Sequence, residues 1–401
     1  MRIDAVDFFY LSMPEITMDA DGSQDALLVR VEADGTVGWG ECEASPLTSI
    51  AAFVTPPSHG ACLPVAASVI GERVDVPADI LRIAANVARN SMDLLQAAHT
   101  FSGIEIALWD LLGQVREQPV WSLLGQTESL PKTPYASILF GDDPQETLRR
   151  GRELVSQGFR AVKFGWGPFG ASTVAADADQ VMAAREGVGD DVTLLVDAGQ
   201  IWDVDVEAAA DRLPALDEAG VTWLEEPFNA HAFSAYADLA RSGARVGLAG
   251  GEGAHNVHMA LNLMSYGGIR FIQIDTGRIG GISAASSVAA AAHDRGLTYV
   301  NHTFTSHLAL SASLQSFAGD VDATICEYPA APRRLATAIT SNHLELDRNG
   351  RIAAPDAPGL GMTVNTTELE PYLRAVRIDV GGSTLYQSPS LSRTTTTGLL
   401  A

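Results

Sequence analysis

The chain has 401 residues, 46% of them hydrophobic, and a formal net charge of −23. That acidic surplus repels nucleic acid and acidic membrane surfaces, so neither is expected as a partner. The length suits a large barrel with an accessory domain, and the hydrophobic fraction is enough for a substantial core.

Met1-Arg2-Ile3-Asp4 opens without the apolar stretch of a secretory signal. No apolar run approaches the roughly 18–20 residues of a membrane span. Cys42, Cys62 and Cys326 are few, odd in number and without metal-ligand spacing, as in a reduced compartment. A soluble, cytoplasmic protein is the expectation.

Residues 1–45 predict strands: Phe8–Leu11, Ala26–Val31 and Val37–Glu41 are β-rich, with Asp34-Gly35 as a turn. Ser12–Ser23 is polar and predicts an exposed loop, as does Pro46–Pro64 with its Pro56-Pro57-Ser58-His59-Gly60. Pro77 opens a helix, and Gly103–Gly113 carries apolar residues at helical spacing. Strands followed by helices describe an α+β unit over 1–130.

From Pro134 the pattern alternates. Apolar runs of strand length begin near Tyr135, Ala161, Leu194, Trp223, Val246, Phe271, Thr298 and Thr324, at intervals of 23 to 33 residues. Stretches of helical length lie between them, such as Thr147–Ser156, Val206–Leu216 and Ala284–His293. Eight runs and seven intervening helices predict an α/β barrel of (β/α)7β form over 131–330. After Pro329 the alternation ends. Leu344–Pro355 predicts a hairpin around Asn349-Gly350, and Pro358-Gly359-Leu360-Gly361 a tight turn. The segment 331–401 is expected to return to cover the first domain, with Ser388–Thr397 exposed.

Three acidic residues end apolar runs in this alternating region. Asp197, Glu225 and Glu252 stand 28 and 27 residues apart, about one strand–helix unit each. The C-terminal strand ends of a barrel share one mouth, so the three carboxylates converge there. Each taken singly could instead cap a helix. Three in phase point to an oxygen site for an octahedral Mg²⁺. Asp275 and His302 close the next two runs, and a carboxylate holding one imidazole nitrogen gives an oriented general base. Glu327 ends the eighth run at the same mouth, as a substrate-facing acid or a buried ion-pair partner. Lys163 ends the second, as a base of depressed pKa or a cation stabilising an enolate. The glycine-rich Phe164–Gly170 fits no nucleotide-binding spacing, and its Trp166 is taken as a wall of the site. His59 would touch a ligand if its loop folded over the barrel. His255 and His258 suit a helix face better than a metal pair.

These residues, in this order, resemble the mandelate racemase subgroup of the enolase superfamily. The resemblance rests on Ile104–Gly113 with Pro119–Gly125 behind it, Leu224-Glu225-Glu226-Pro227, Gly251-Glu252, Asp275 with Ile279-Gly280-Gly281-Ile282, His302, Glu327 and Pro358–Gly361. It implies a modified TIM barrel under an α+β capping domain built from the N-terminal region and the C-terminal segment. It further implies Mg²⁺ on Asp197, Glu225 and Glu252, an Asp275–His302 base, Glu327 assisting enolate stabilisation, and two cap loops within Ser12–Ser23 and Pro46–Pro64 that choose the substrate. Barrels of the family commonly assemble, so a homo-oligomer is expected. Two departures stand out. The family's Lys-x-Lys reads Lys163-Phe164-Gly165 here, and its Asp-x-Asn reads Asp197-Ala198-Gly199.

With one placed base, loss of a β-hydroxyl is favoured: a Mg²⁺-dependent dehydratase of a sugar acid. Cycloisomerisation of an anhydro-sugar acid or lactone comes second, and racemisation or epimerisation of a 2-hydroxy acid third. A non-catalytic sugar-acid binding protein is the reading from another class.

Overall fold

The structure, a computed structural model, describes residues 1–392 apart from 20, 44 and 96. Of the stretch Ser388–Thr397, residues 393–397 lie outside the described residues. No helix among the described residues is long and apolar enough to cross a membrane.

The first unit is an antiparallel sheet of β1 (Ile3–Ser12), β2 (Asp25–Ala33) and β3 (Thr36–Cys42), with helices α1 (Pro46–Val54), α2 (Pro77–Asn90) and α3 (Ala97–Arg116). Asp34 and Gly35, both at positive φ, turn β2 into β3. β3 lies so close to α3 that a Cβ on Gly40 would stand 2.2 Å from the Gly103 carbonyl. The expectation of a loop throughout Pro46–Pro64 is half wrong. Pro46 sits in the first turn of α1, where its missing N–H costs nothing. Ile50 and Phe53 bury the inner face, with Phe53 against Phe8 at 4.9 Å between ring centroids.

Eight parallel strands follow: β4 (Thr133–Leu139), β5 (Ala161–Gly165), β6 (Thr193–Asp197), β7 (Trp223–Glu225), β8 (Gly247–Gly250), β9 (Phe271–Asp275), β10 (Thr298–His302) and β11 (Ile325–Tyr328). They wind in sequence order, with β11 pairing back onto β4. Helices cover the outside, as the alternation predicts. The lumen is filled by Tyr135, Ala161, Leu195, Trp223, Ala249, Phe271, Val300 and Ile325, one side chain from each strand. Trp223 anchors this layer, edge-on to Tyr135 at 5.5 Å and tilted on Phe271 at 5.0 Å.

One seam lacks a backbone ladder, that between β10 and β11. The buried Asn301 carboxamide substitutes for it. Its Oδ1 accepts from the Glu327 N–H at 2.9 Å, and its Nδ2 donates to the Glu327 carbonyl at 3.4 Å and to Ser313 Oγ at 3.0 Å.

Residues beyond the barrel return to the first sheet. Leu335, Ile339, Leu360, Leu369 and Tyr386 enter its apolar core. Asp110 of α3 joins three pieces, accepting from the Trp39 N–H at 2.9 Å and from the Leu360 N–H at 2.9 Å. The expected hairpin at Leu344–Pro355 is a turn only: Asp347 and Arg351 pair, and the following Ile352 bridges to Lys132 instead of continuing a ladder. His307 Nδ1 accepts from the Leu344 N–H at 3.2 Å, and its ring stacks on His343 at 4.6 Å. Burial, aided by His343, depresses His307 from 6.5 to about 4.

Two outcomes follow from this packing. Asn301→Leu leaves two buried backbone groups unpaired and should cost about 2–4 kcal/mol by urea unfolding. His307 binds its proton more weakly folded than unfolded, so its contribution is complete above pH 6.5 and declines as pH falls toward about 4. His307→Gln, which keeps an acceptor for Leu344, should flatten that part of the stability curve, read from urea melts at about pH 7.5 and about pH 5.

Candidate active site

Strand alternation fixes what faces the mouth. Two residues beyond a lumen-filling side chain, the same face of the strand recurs. From Ala161 this gives Lys163, from Leu195 Asp197, from Trp223 Glu225, from Val300 His302, and from Ile325 Glu327. Asp197 and Glu225 are register partners, as are Asp275 and His302.

Of these groups Lys163, Asp197, His302 and Glu327 border a cavity of about 860 Å³ between barrel and cap. Its walls include Lys163, Trp166, Asp197, Glu252, His302 and Glu327, with Arg149 and Arg150 from the helix Pro144–Ser156 and Arg278 and Arg333. Asp21 and Ser23 reach it from the loop after β1. Arg333 clips that loop down, its Nε 2.7 Å from Asp21 Oδ2. The other proposed cap loop stays away. His59 is half exposed and pairs with Asp93 at 3.3 Å, and it is absent from the cavity wall. The reason is α1, beyond which the chain is bound to the end of α2 through Leu63 and Asn90.

Lys163 is fully enclosed among carboxylates, its Nζ 2.6 Å from Glu225, 2.9 Å from Glu327 and 3.5 Å from Asp197. Burial alone would lower its pKa, but Glu225, Glu327 and their neighbours hold it well above the ordinary lysine value. These carboxylates favour its charged form, as in the reading of Lys163 as a cation. Glu327 also accepts from the Thr303 N–H at 2.7 Å, and Glu225 from the Trp223 indole at 3.0 Å. Glu225 lies beneath Lys163 and off the cavity surface.

His302 is pinned at both nitrogens: Nδ1 to Asp275 at 2.7 Å and Nε2 to Glu252 at 2.9 Å. Burial opposes its charged form, yet Glu252, Glu327 and these hydrogen bonds raise its pKa well above 6.5. Glu252 is lowered in turn, because His302 and Arg278 outweigh its own burial.

The three proposed metal ligands fit a hard divalent cation by donor type and by charge. All are carboxylates. Burial and the charges of Glu225 and Glu252 push Asp197 well above the usual carboxylate range, despite Lys163. The chain's own cations divide the set between them, Lys163 bridging Asp197 and Glu225 while Glu252 turns to His302 and Arg278.

Both sequence departures have structural partners. A Cβ on Gly165 would lie 2.8 Å from Asp197 Cβ, so a second lysine has no room there. Gly199 has φ 54°, and a Cβ on it would meet the Trp166 ring at 2.6 Å. Trp166, itself at φ 53° and half exposed, lies over that glycine beside Asp197. Gln200, the residue after Gly199, donates to the buried Glu226 at 2.5 Å.

Sequence reasoning missed Arg278 and Glu43. Arg278 is held by Glu43 at 2.5 Å and reaches Glu252 at 3.3 Å. Its position three residues past Asp275 was the available signal. Glu43 carried none.

Comparison with known proteins agrees with this geometry. The family model described as enolase C-terminal domain-like matches residues 146–368, and that of the mandelate racemase / muconate lactonizing enzyme N-terminal domain matches 11–125. The chain belongs to the enolase superfamily, in its mandelate racemase subgroup. It is 29% identical over 362 residues to a D-galactarolactone cycloisomerase of Agrobacterium fabrum, covering 86% of this chain and 90% of the relative. It is 27% identical over 273 residues to an arabinonate dehydratase of Saccharolobus solfataricus, covering 68% and 71%. A crystal structure described as a predicted mandelate racemase from Rhodobacter sphaeroides superposes with a TM-score of 0.93 at 65% identity, over 97% of this chain and 99% of that one. Among its superfamily relatives are sugar-acid dehydratases and cycloisomerases.

The crowding at Gly165 gives a direct test of the missing lysine. Gly165→Lys should destabilise the protein by about 1–3 kcal/mol in urea unfolding, as overpacking does, without creating a second base.

Proposed function

We propose that this protein is a Mg²⁺-dependent sugar-acid dehydratase, removing the proton α to a carboxylate and expelling the β-hydroxyl as water. The observation that carries the reading is one-sidedness. The Asp275–His302 dyad supplies a proton acceptor on one side of the cavity, while beside Asp197 stand Gly165 and the indole of Trp166, which accept none.

Asp197, Glu225 and Glu252 would hold the Mg²⁺, which would supply Lewis-acid offset of charge on the substrate carboxylate; Glu252, as one of those ligands, would be the group that His302 Nε2 gives up. Asp275 then keeps a proton on His302 Nδ1 and leaves the Nε2 lone pair to take the α-proton. The C–H electrons pass into an enediolate, whose charge Lys163 faces. When that enediolate reforms its carboxylate, the β C–O bond breaks. The imidazolium of His302 returns its proton to the departing hydroxyl, and the enol left behind rearranges to a 2-keto acid. Trp166 offers a flat apolar face to the C–H side of a sugar acid.

Cycloisomerisation is the second reading. It is supported by the likeness to D-galactarolactone cycloisomerase over most of both chains. It needs the same proton abstraction but breaks a ring C–O bond. Racemisation is disfavoured because Gly165 and Trp166, beside Asp197, offer no second base.

A sugar-acid library incubated with Mg²⁺ and assayed for 2-keto acids tests the proposal. A substrate whose turnover stops with EDTA, and falls about 10²–10⁴-fold in His302→Asn, is the expected result. Substrate recovered from D₂O with its α-carbon inverted would sink the one-base mechanism.

A further inference from the structure

Arg278 stands between the cap and the carboxylates of the barrel mouth. Its Nε is 2.5 Å from Glu43 Oε2, and its Nη1 is 3.3 Å from Glu252 Oε1. Asp275 Oδ2 lies 4.0 Å from Nε. Glu43 belongs to the cap, one residue past β3, and its side chain is 8% exposed. The cap meets the barrel closely there. The Glu43 N–H donates to the Gly277 carbonyl at 3.4 Å, and a Cβ on Gly277 would lie 2.8 Å from Glu43 N. His99 of α3 also contacts the Glu43 carbonyl.

The distances rank the partners of one guanidinium. Glu43 has the short contact, and Glu252 the long one. Were the Glu43 charge withdrawn, the remaining acids within reach would be Glu252 and Asp275, and Arg278 would settle on them. A divalent cation would then have to displace a guanidinium from one of its own ligands. With Glu43 in place the guanidinium is shared, and its Nη1 keeps only long contacts to Glu252, at 3.3 Å to the carboxylate and 3.4 Å to the backbone carbonyl.

We infer that Glu43 is a positioning residue for the cation site: by drawing Arg278 off Glu252, it makes docking of the cap and binding of a divalent cation favour each other. Such coupling is reciprocal, so the cation also tightens the cap. The inference rests on Asp197, Glu225 and Glu252 being the cation ligands.

Isothermal titration of Mg²⁺ into the full-length protein, without substrate, tests it through a double-mutant cycle. Glu43→Gln should weaken the Mg²⁺ Kd by about tenfold, while Arg278→Met should bind no more weakly than the wild type. The double variant should match Arg278→Met, because without the guanidinium there is nothing for Glu43 to hold. Gly277→Ala, which pushes the cap strand away, should weaken binding as Glu43→Gln does. A Glu43→Gln Kd within about twofold of wild type overturns the inference. So does an equal loss from Glu43→Gln in the Arg278→Met background, since that would mark general damage to the site. Wild-type protein that takes up no Mg²⁺ would overturn the ligand reading and this inference together, whereas wild-type binding with an uncoupled cycle overturns the inference alone.

Discussion

The mouth of this barrel concentrates like charge on buried side chains. Asp197, Glu225, Glu226, Asp275 and Glu327 are all buried, and Glu252 is only partly open. No fold tolerates such a set unless each carboxylate is paired, hydrogen-bonded or neutralised. The cations answering it are Lys163, Arg278 and the His302 ring, each shared between two or more acids. That sharing explains why Lys163 stays charged despite full burial. It also explains why His302 binds its proton so firmly while Glu252 is beside it. The folded site is thus a set of carboxylates that share their cations.

Much of the architecture was legible because a β-strand announces itself locally. The eight apolar runs of the alternating region begin within one or two residues of the observed strands, and Asp197, Glu225, Asp275 and His302 end theirs. Once the strands are placed, period-two alternation dictates which side chains share the lumen, so Lys163, His302 and Glu327 came with them. The Asp34-Gly35 turn and the entry of α2 at Pro77 were equally local.

What escaped reading depended on distance along the chain or on competing signals. The prolines of Pro46–Pro64 obscured the three-residue spacing of Ile50 and Phe53, although Pro46 itself begins α1. That helix is also why His59 ends on the outside. Asn349-Gly350 does turn the chain, but Ile352 finds Lys132 a better partner than its own neighbour. The pairing of Glu43 with Arg278 spans 235 residues, and no periodicity reports on it. The missing family lysine and asparagine were visible as letters. Their cause was not: Gly165 and Gly199 are small because Asp197 and Trp166 occupy the space beside them.

A side-chain amide closes the β10–β11 seam in place of a continuous ladder. Seven of the eight strand junctions are held by backbone ladders, and this one by the Asn301 side chain and the Thr303 N–H to the Glu327 carboxylate. Local opening of a native structure begins where backbone bonds are fewest. Amide protons along β10 and β11 would therefore exchange with solvent sooner than those of β5 and β6. The wall most ready to yield is the one carrying His302 and Glu327, which gives the barrel a softer edge there than at Lys163 and Asp197.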